Sequence, residues 1–485
     1  MPRSWVWSIS APRDRRRKTF FSQCRSVTDR LVVIGGDAAG MSAASHARRR
    51  RGPDELEIIA FERGDYTSYS ACGIPYLIGG VVPDAASLVV RTPDVFRDQQ
   101  SIDVRMRHDV TEIDLARSAV KVCSRDEPGG SWVGFDNLLI ATGGVPRRPP
   151  LENSAARGIF GVQTLSDGLA VLSFLEQAEP RRAVVVGGGY IGLEMAEALL
   201  TQGLDVTVIE QLPQPMASFD PDMGEVIRKE LIAMGIQVHT QEKVTAFEAD
   251  GGTVTGVVTT ARMVPAQLVV LGLGTAPNSG LASAAGIAIG PSGAIAVDPR
   301  MRTDAPGVWA AGDCAEKFHR VARRGVSIPL GTHANKEGRV AGINLAGGDA
   351  TFPGVLGTAT SKVCGLELAR TGLNEAESTE AGVDFVTTTV DSTTRAGYYP
   401  GAAPIRTKLI AEKNSGRLLG GQIIGREGAA KRVDVLATAL WNEMSVGEIL
   451  NLDLSYAPPF APVWDPVLIA ARKAAQRVEE ASAVP

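Results

Sequence analysis

Two copies of the pattern strand, glycine turn, helix, strand, acid, followed by a last third of different character, predict an α/β fold. Two Rossmann-like dinucleotide-binding domains and a C-terminal α+β domain are expected. The length of 485 residues agrees, because a single core rarely serves more than about 250–300 residues. Apolar residues make up 44% and charged residues 21%, with a net charge of -4. That balance gives no pull toward nucleic acid or an anionic membrane. No apolar run of about 20 residues is available to span a bilayer.

Residues 1–28 carry Arg13, Arg15, Arg16, Arg17 and Lys18 behind Trp5 and Trp7. They lack the apolar core of a secretory signal. They read as a basic disordered extension; a binding arm, a targeting segment and an unused upstream start are the alternatives. Ordered sequence is expected from Asp29.

The first unit opens with LVVIGGDAAG, residues 31–40, an apolar strand running into Gly35, Gly36 and Gly40. A small-residue helix follows, then LEIIAFE, residues 56–62, ending in Glu62. Such glycines bring the backbone close to a pyrophosphate at a helix N-terminus, and the acid bonds ribose hydroxyls. Asp37 stands where the middle glycine belongs, which is unfavourable unless its side chain points away. The second unit, AVVVGGGYIGLE, keeps Gly187, Gly189 and Gly192, and its next strand ends in Glu210. An acid there repels a 2′-phosphate, so NADH is expected over NADPH. NLLIATGGVP, residues 137–146, and LVVLGLGTAPN, residues 268–278, read as crossings between domains. GVWAAGD, residues 307–313, ends in Asp313, a carboxylate suited to a flavin ribityl hydroxyl.

The expected boundaries are 29–148 with 271–350 for the first domain, 149–270 for the second, 351–473 for the third, and a tail over 474–485. In the third, residues 406–425 read as two strands about an Asn-Ser-Gly turn. Val433, Leu436, Ala437 and Leu440 follow helical spacing, and Ser445 with Glu448 forms a capping box. The tail reads as a frayed helix.

The five cysteines, Cys24, Cys72, Cys123, Cys314 and Cys364, are scattered and form no CxxC pair. A reducing, cytoplasmic setting is expected, and no metal site. Cys72 lies in SYSACGIPY, residues 68–76. From its residues alone it is either a redox centre acting without a partner or a small core residue. Gly73 and Pro75 suit the opening of a short helix, whose dipole would lower the thiol pKa.

Together these motifs, from about Asp29 to Lys473, resemble the pyridine nucleotide–disulfide oxidoreductase family. The resemblance implies FAD in the first unit, at Gly35, Gly40, Glu62, Thr142, Gly143 and Asp313. It implies NADH in the second, at Gly187, Gly189, Gly192, Glu210 and Gly274, with Glu194 close to both rings. On composition Glu194 is equally a helix surface residue. The CxxxxC pair of many members is absent, since Thr67 and Leu77 stand five residues either side of Cys72. The C-terminal histidine of those members is absent too. SYSACGIPY is similar to the redox segment of the single-cysteine branch. Ala38 stands where oxidases and peroxidases of that branch carry a histidine.

What remains is most similar to coenzyme A-disulfide reductases, which use tyrosines of the interface domain. RAGYYPG and SYAPPF imply Tyr399 or Tyr398, and Tyr456, as acids; interface residues are the alternative. EGAAKRVDVLA also fits, whereas Ala71 replaces a usual asparagine. Ser68, Arg49, Arg91, Lys431 and Arg432 are candidate contacts for a coenzyme A disulfide. Helix-dipole compensation equally explains the arginines over 48–51. The expected activity is NADH-driven reduction of coenzyme A disulfide or a related small disulfide by a homodimer. An NADH oxidase or a persulfide reductase on the same scaffold is the rival, and an NADH-sensing flavoprotein a further one.

Overall fold

The structure is a computed structural model that describes residues 28–124 and 126–483. The basic extension lies outside the described residues except for Thr28. The first domain is built on a parallel sheet of Val308–Ala310, Asn137–Ile140, Asp29–Ile34, Leu56–Glu62 and Ile102–Met106, in that order. The second repeats it with Ile159–Gly161, Leu268–Leu271, Arg182–Val186, Asp205–Glu210 and Gln237–Thr240. Each carries a three-stranded antiparallel flap, over 108–134 between Ile102–Met106 and Asn137–Ile140, and over 244–265 between Gln237–Thr240 and Leu268–Leu271. The central strands are buried almost throughout, as a parallel sheet covered on both faces requires.

The two chain crossings pair with each other. Gly144–Pro146 runs antiparallel to Thr275–Pro277, and Leu271 still belongs to the second sheet. The second crossing therefore falls a few residues later than the 270/271 boundary read from sequence. Helix Ala38–Arg48 packs against helix Gly331–Leu345. A Cβ on Gly338 would sit 2.3 Å from Ala39 O, and one on Gly342 2.2 Å from Ala43 O. The small residues of MSAASHARRR are the matching half of that close approach.

The third domain is an antiparallel sheet of Ala359–Val363, Leu366–Gly372, Leu418–Gly425, Pro404–Glu412 and Phe385–Thr393. The expected hairpin, the helix Val433–Trp441 and the Ser445–Glu448 capping box are all present. The frayed tail is not. Helix Pro466–Ser482 starts at an Asp465 cap and lies on strands Phe385–Thr393 and Pro404–Glu412. Val467, Leu468, Ala470, Ala471 and Ala474 are buried there. That buried stripe ends at Ala474; Ala475 and Val478 pack partly buried beyond it, and the helix continues to Ser482. No helix among the described residues is long and apolar enough to cross a membrane.

Candidate active site

Two elements of different domains bring the cysteine segment into a site. Ala71–Gly73 forms a 3-10 turn, and helix Ile74–Ile78 follows it. Ile74, Leu77 and Ile78 are buried in a core shared with Leu193, Ala196 and Leu199 of helix Tyr190–Thr201. Burial of Ile74 and Ile78 contributes about 1.5–3 kcal/mol each. Gln202 Nε2 adds a hydrogen bond to Ile78 O at 2.8 Å. The short helix is thus wedged against the second domain, and Cys72, in the turn before it, is exposed.

Glu194, on the same second-domain helix, faces the thiol. Its Oε1 accepts a bond from Ser361 Oγ at 2.8 Å, and burial raises its own pKa. Desolvation, then Glu194, Asp313 and Asp37, push the Cys72 thiol above its ordinary value. This corrects the expectation of a dipole-lowered pKa. The helix has five residues, so its dipole is small, and the nearby charges are carboxylates. Glu194→Gln is therefore expected to speed alkylation of Cys72 at neutral pH. Mass spectrometry of the Cys72 peptide checks this; an unchanged rate contradicts the electrostatic account.

The two nucleotide units use one device twice. Glu62 accepts from Gly36 N at 2.8 Å and Gly64 N at 2.7 Å. Glu210 accepts from Gly188 N at 2.7 Å and Leu212 N at 2.9 Å. Gly35 and Gly187 have φ of 109° and 101°, and a Cβ on either would strike a carbonyl of the neighbouring strand's turn. A Cβ on Gly40 or Gly192 would lie 2.0 Å from the carbonyl of Gly35 or Gly187. Gly189 has nothing within 4 Å of that point, nor have Gly143 and Gly274, which leaves their backbones open to a ligand.

A flavin nucleotide fits the first unit on a direct observation. Asp313 Oδ1 is buried without a hydrogen-bond partner, and a bound polyol hydroxyl would satisfy it. The turn that carries Asp313 is fixed from behind: Glu337 Oε2 accepts Gly312 N at 2.8 Å, and Lys317 Nζ donates to Gly312 O at 2.8 Å. The Thr142 hydroxyl donates to Asn278 O at 2.6 Å, so it also serves the seam between crossings, and its oxygen lone pairs and backbone are what it has to offer a cofactor.

Of the candidate substrate contacts, Arg49, Ser68 and Arg91 converge on one pocket of about 220 Å³, with Ser42, His46 and Asn335. Val90 N bonds Ser68 O at 2.8 Å, which ties Arg91's segment to the cysteine loop. Arg48 instead bonds Gln100 O and Ser101 O, and Arg51 pairs with Asp29. Neighbouring arginines thus divide, with Arg49 lining the pocket and Arg48 and Arg51 tied to the protein's own oxygens. Ser42 and His46, which sequence reasoning missed, stand at i−7 and i−3 from Arg49 on its helix. That spacing was the available signal; Asn335, from a distant helix, had none.

Lys431 pairs with Asp434 on the surface. Arg432 is a correction. Its guanidinium donates to Asp465 Oδ2, Gly428 O, Thr394 O and Phe460 O, leaving it no role as a phosphate cation. Those bonds gather the loops that carry the tyrosines. Tyr398 is the neighbour that raises the Tyr456 pKa. Of the two adjacent tyrosines, Tyr398 is thus the one that acts on Tyr456. Tyr398 is 77% exposed and Tyr456 46%, beside exposed Phe460, Val463 and Trp464. Neither tyrosine figures among the charges acting on Cys72.

Residues 29–338 match the family model described as pyridine nucleotide-disulphide oxidoreductase, and residues 358–466 match its dimerisation domain. An NAD(P)H coenzyme A polysulfide/persulfide reductase of Pyrococcus horikoshii is 38% identical over 445 residues, covering 91% of this chain and 98% of that protein. An NADH oxidase of Methanocaldococcus jannaschii is 35% identical, over 93% and 99%. A coenzyme A disulfide reductase of Staphylococcus haemolyticus is 29% identical, over 92% and 99%. The solved structure of an NAD-dependent persulfide reductase from A. fulgidus superposes with a TM-score of 0.90 at 39% identity, covering 93% of this chain and 84% of that one.

Proposed function

The chain belongs to the pyridine nucleotide-disulphide oxidoreductase family, and from that premise we propose that it uses FAD and NADH to reduce coenzyme A disulfide, or a related small disulfide, through Cys72. One observation carries the reading. The exposed Cys72 thiol shares its loop with Ser68, which lines a pocket with two arginines. Arginine suits the phosphates of a coenzyme A moiety.

Gly35, Gly40, Glu62, Thr142, Gly143 and Asp313 would hold FAD. Gly187, Gly189, Gly192, Glu210 and Gly274 would hold NADH, with Glu194 alongside. FAD, when bound, gives the electrons of NADH a path to sulfur. The Cys72 thiolate attacks one sulfur of the substrate, its S–S bond breaks, and one thiolate leaves a mixed disulfide on Cys72. Two electrons then cleave that bond, restoring the Cys72 thiolate and releasing the second thiol. The sum is one disulfide, NADH and a proton in, two thiols and NAD⁺ out. A phenol is the proton source for the leaving thiolates, and the Tyr398–Tyr456 pair is its candidate. The exposed apolar cluster around it and the dimerisation-domain match support a homodimer in which the pair serves the site of a second copy. Free Cys72, Cys123, Cys314 and Cys364 support a reducing, cytoplasmic location.

Two expected results check this reading. Arg49→Ala with Arg91→Ala raises KM for coenzyme A disulfide about tenfold or more, since charged hydrogen bonds contribute about 1.5–3 kcal/mol. KM for cystamine, which has no phosphate, stays put. Tyr398→Phe and Tyr456→Phe each lower kcat about 10²-fold, while Tyr399→Phe stays near wild type. Equal effects on both disulfides, or a larger loss at Tyr399, contradict it.

A second reading, reduction of a coenzyme A persulfide, draws support from the higher identity to persulfide reductases. It keeps Cys72 and the pocket and releases sulfide. Comparing sulfide release with thiol release separates the two. Ala38, in place of a histidine, weighs against an oxidase, and slow NADH consumption under oxygen alone is expected.

A further inference from the structure

Asp37 occupies the position that is Gly189 in the second unit. There, space is left for a ligand; here, a carboxyl group fills it. Asp37 is the N-cap of helix Ala38–Arg48 but makes no capping bond. Its Oδ1 accepts Tyr69 N at 3.3 Å instead. Thr67 Oγ1 and Ser68 N both donate to Gly36 O beside it. The cysteine loop and the glycine loop are therefore stitched together across adjacent residues, 36 and 37.

The groups facing Asp37 are Glu62 from strand Leu56–Glu62, Asp313 from the turn after Val308–Ala310, and Tyr69 and Cys72 from the cysteine loop. Burial, then the Glu62 and Asp313 carboxylates, push the Asp37 acid up to about 6. Lys317 acts on Asp313 and pairs with Glu337 behind it.

We propose that Asp37 is a positioning residue that ties the cysteine loop to the FAD loop and is neutral in the loaded protein, so that binding FAD draws one proton from solvent onto its carboxylate. The inference rests on the FAD reading of the first unit. A pyrophosphate adds negative charge beside an acid already crowded by two others, which favours its neutral form. The neutral acid still accepts the Tyr69 bond through its carbonyl oxygen. Proton affinity rises on binding, so uptake belongs to the window above about pH 6. FAD affinity should fall by up to about tenfold per pH unit across it.

Apoprotein titrated with FAD near pH 7.5, in two buffers of different ionisation heat, counts the protons. The wild-type chain should take up close to one proton more than Asp37→Asn or Asp37→Gly. Equal uptake in all three overturns the proposal, whereas failure of the wild type to bind FAD overturns the underlying reading. A second measurement addresses the tie. Alkylation of Cys72 in the apoprotein should run at similar rates in wild type and Asp37→Asn at low pH, and faster in Asp37→Gly. A glycine variant no faster than the wild type refutes the stitching.

Discussion

Cys72→Ser is expected to lower NADH-driven disulfide reduction at least about 10³-fold while leaving FAD content unchanged. A serine oxygen forms no mixed disulfide, so the exchange that carries substrate through the cycle has no acceptor. The loss is one of a transition-state interaction and falls on kcat. Cys72 is exposed, so the fold and the cofactor sites should tolerate the change. Neither buried cysteine can stand in. Cys314 is buried with its thiol on Ile140 O and Ala311 O, and Cys364 is buried near Glu197 and Glu230 with its pKa pushed up to about 12. Bleaching of flavin absorbance by anaerobic NADH should persist in the variant. Retained disulfide turnover would contradict the mechanism.

Gly192→Ala and Gly40→Ala should separate the cofactors. A Cβ on Gly192 lies 2.0 Å from Gly187 O. Because that partner is backbone, helix Tyr190–Thr201 must move off the glycine turn. KM for NADH is expected to rise more than about tenfold, or about 1.4 kcal/mol, with FAD retained. Gly40 repeats the contact against Gly35 O and adds Val33 Cγ1 at 3.0 Å. That variant should lose FAD and keep its second-domain affinity for NADH. Flavin-to-protein ratio and an NADH titration read both, and the reverse pattern would invert the assignment of the two units.

The contrast between these glycines and Arg432 shows what was legible in the sequence. A glycine under a 2.0 Å contact has no substitute, and an acid at a strand end has one geometric use, so both nucleotide units could be read from spacing. The Ser445–Glu448 box was legible for the same reason: its bonds span three residues. Arg432 reads as a phosphate cation in the sequence because three of its four acceptors, Thr394, Phe460 and Asp465, lie far from it along the chain. The partner of Tyr456 was equally hidden, since adjacent Tyr398 and Tyr399 differ only in the direction the loop gives them. Asp37 was read as a local conflict, and the Tyr69 backbone that takes up its oxygen lies 32 residues away. The thiol's raised pKa follows from burial and then from Glu194 and Asp313, which no local pattern places beside Cys72.

Peptide mass spectrometry of the protein after exposure to coenzyme A disulfide reads the exchange at Cys72 itself. One coenzyme A in disulfide linkage on Cys72 is expected, lost when NADH is added to the FAD-loaded protein. An unmodified Cys72, or an adduct confined to Cys123, Cys314 or Cys364, would contradict it.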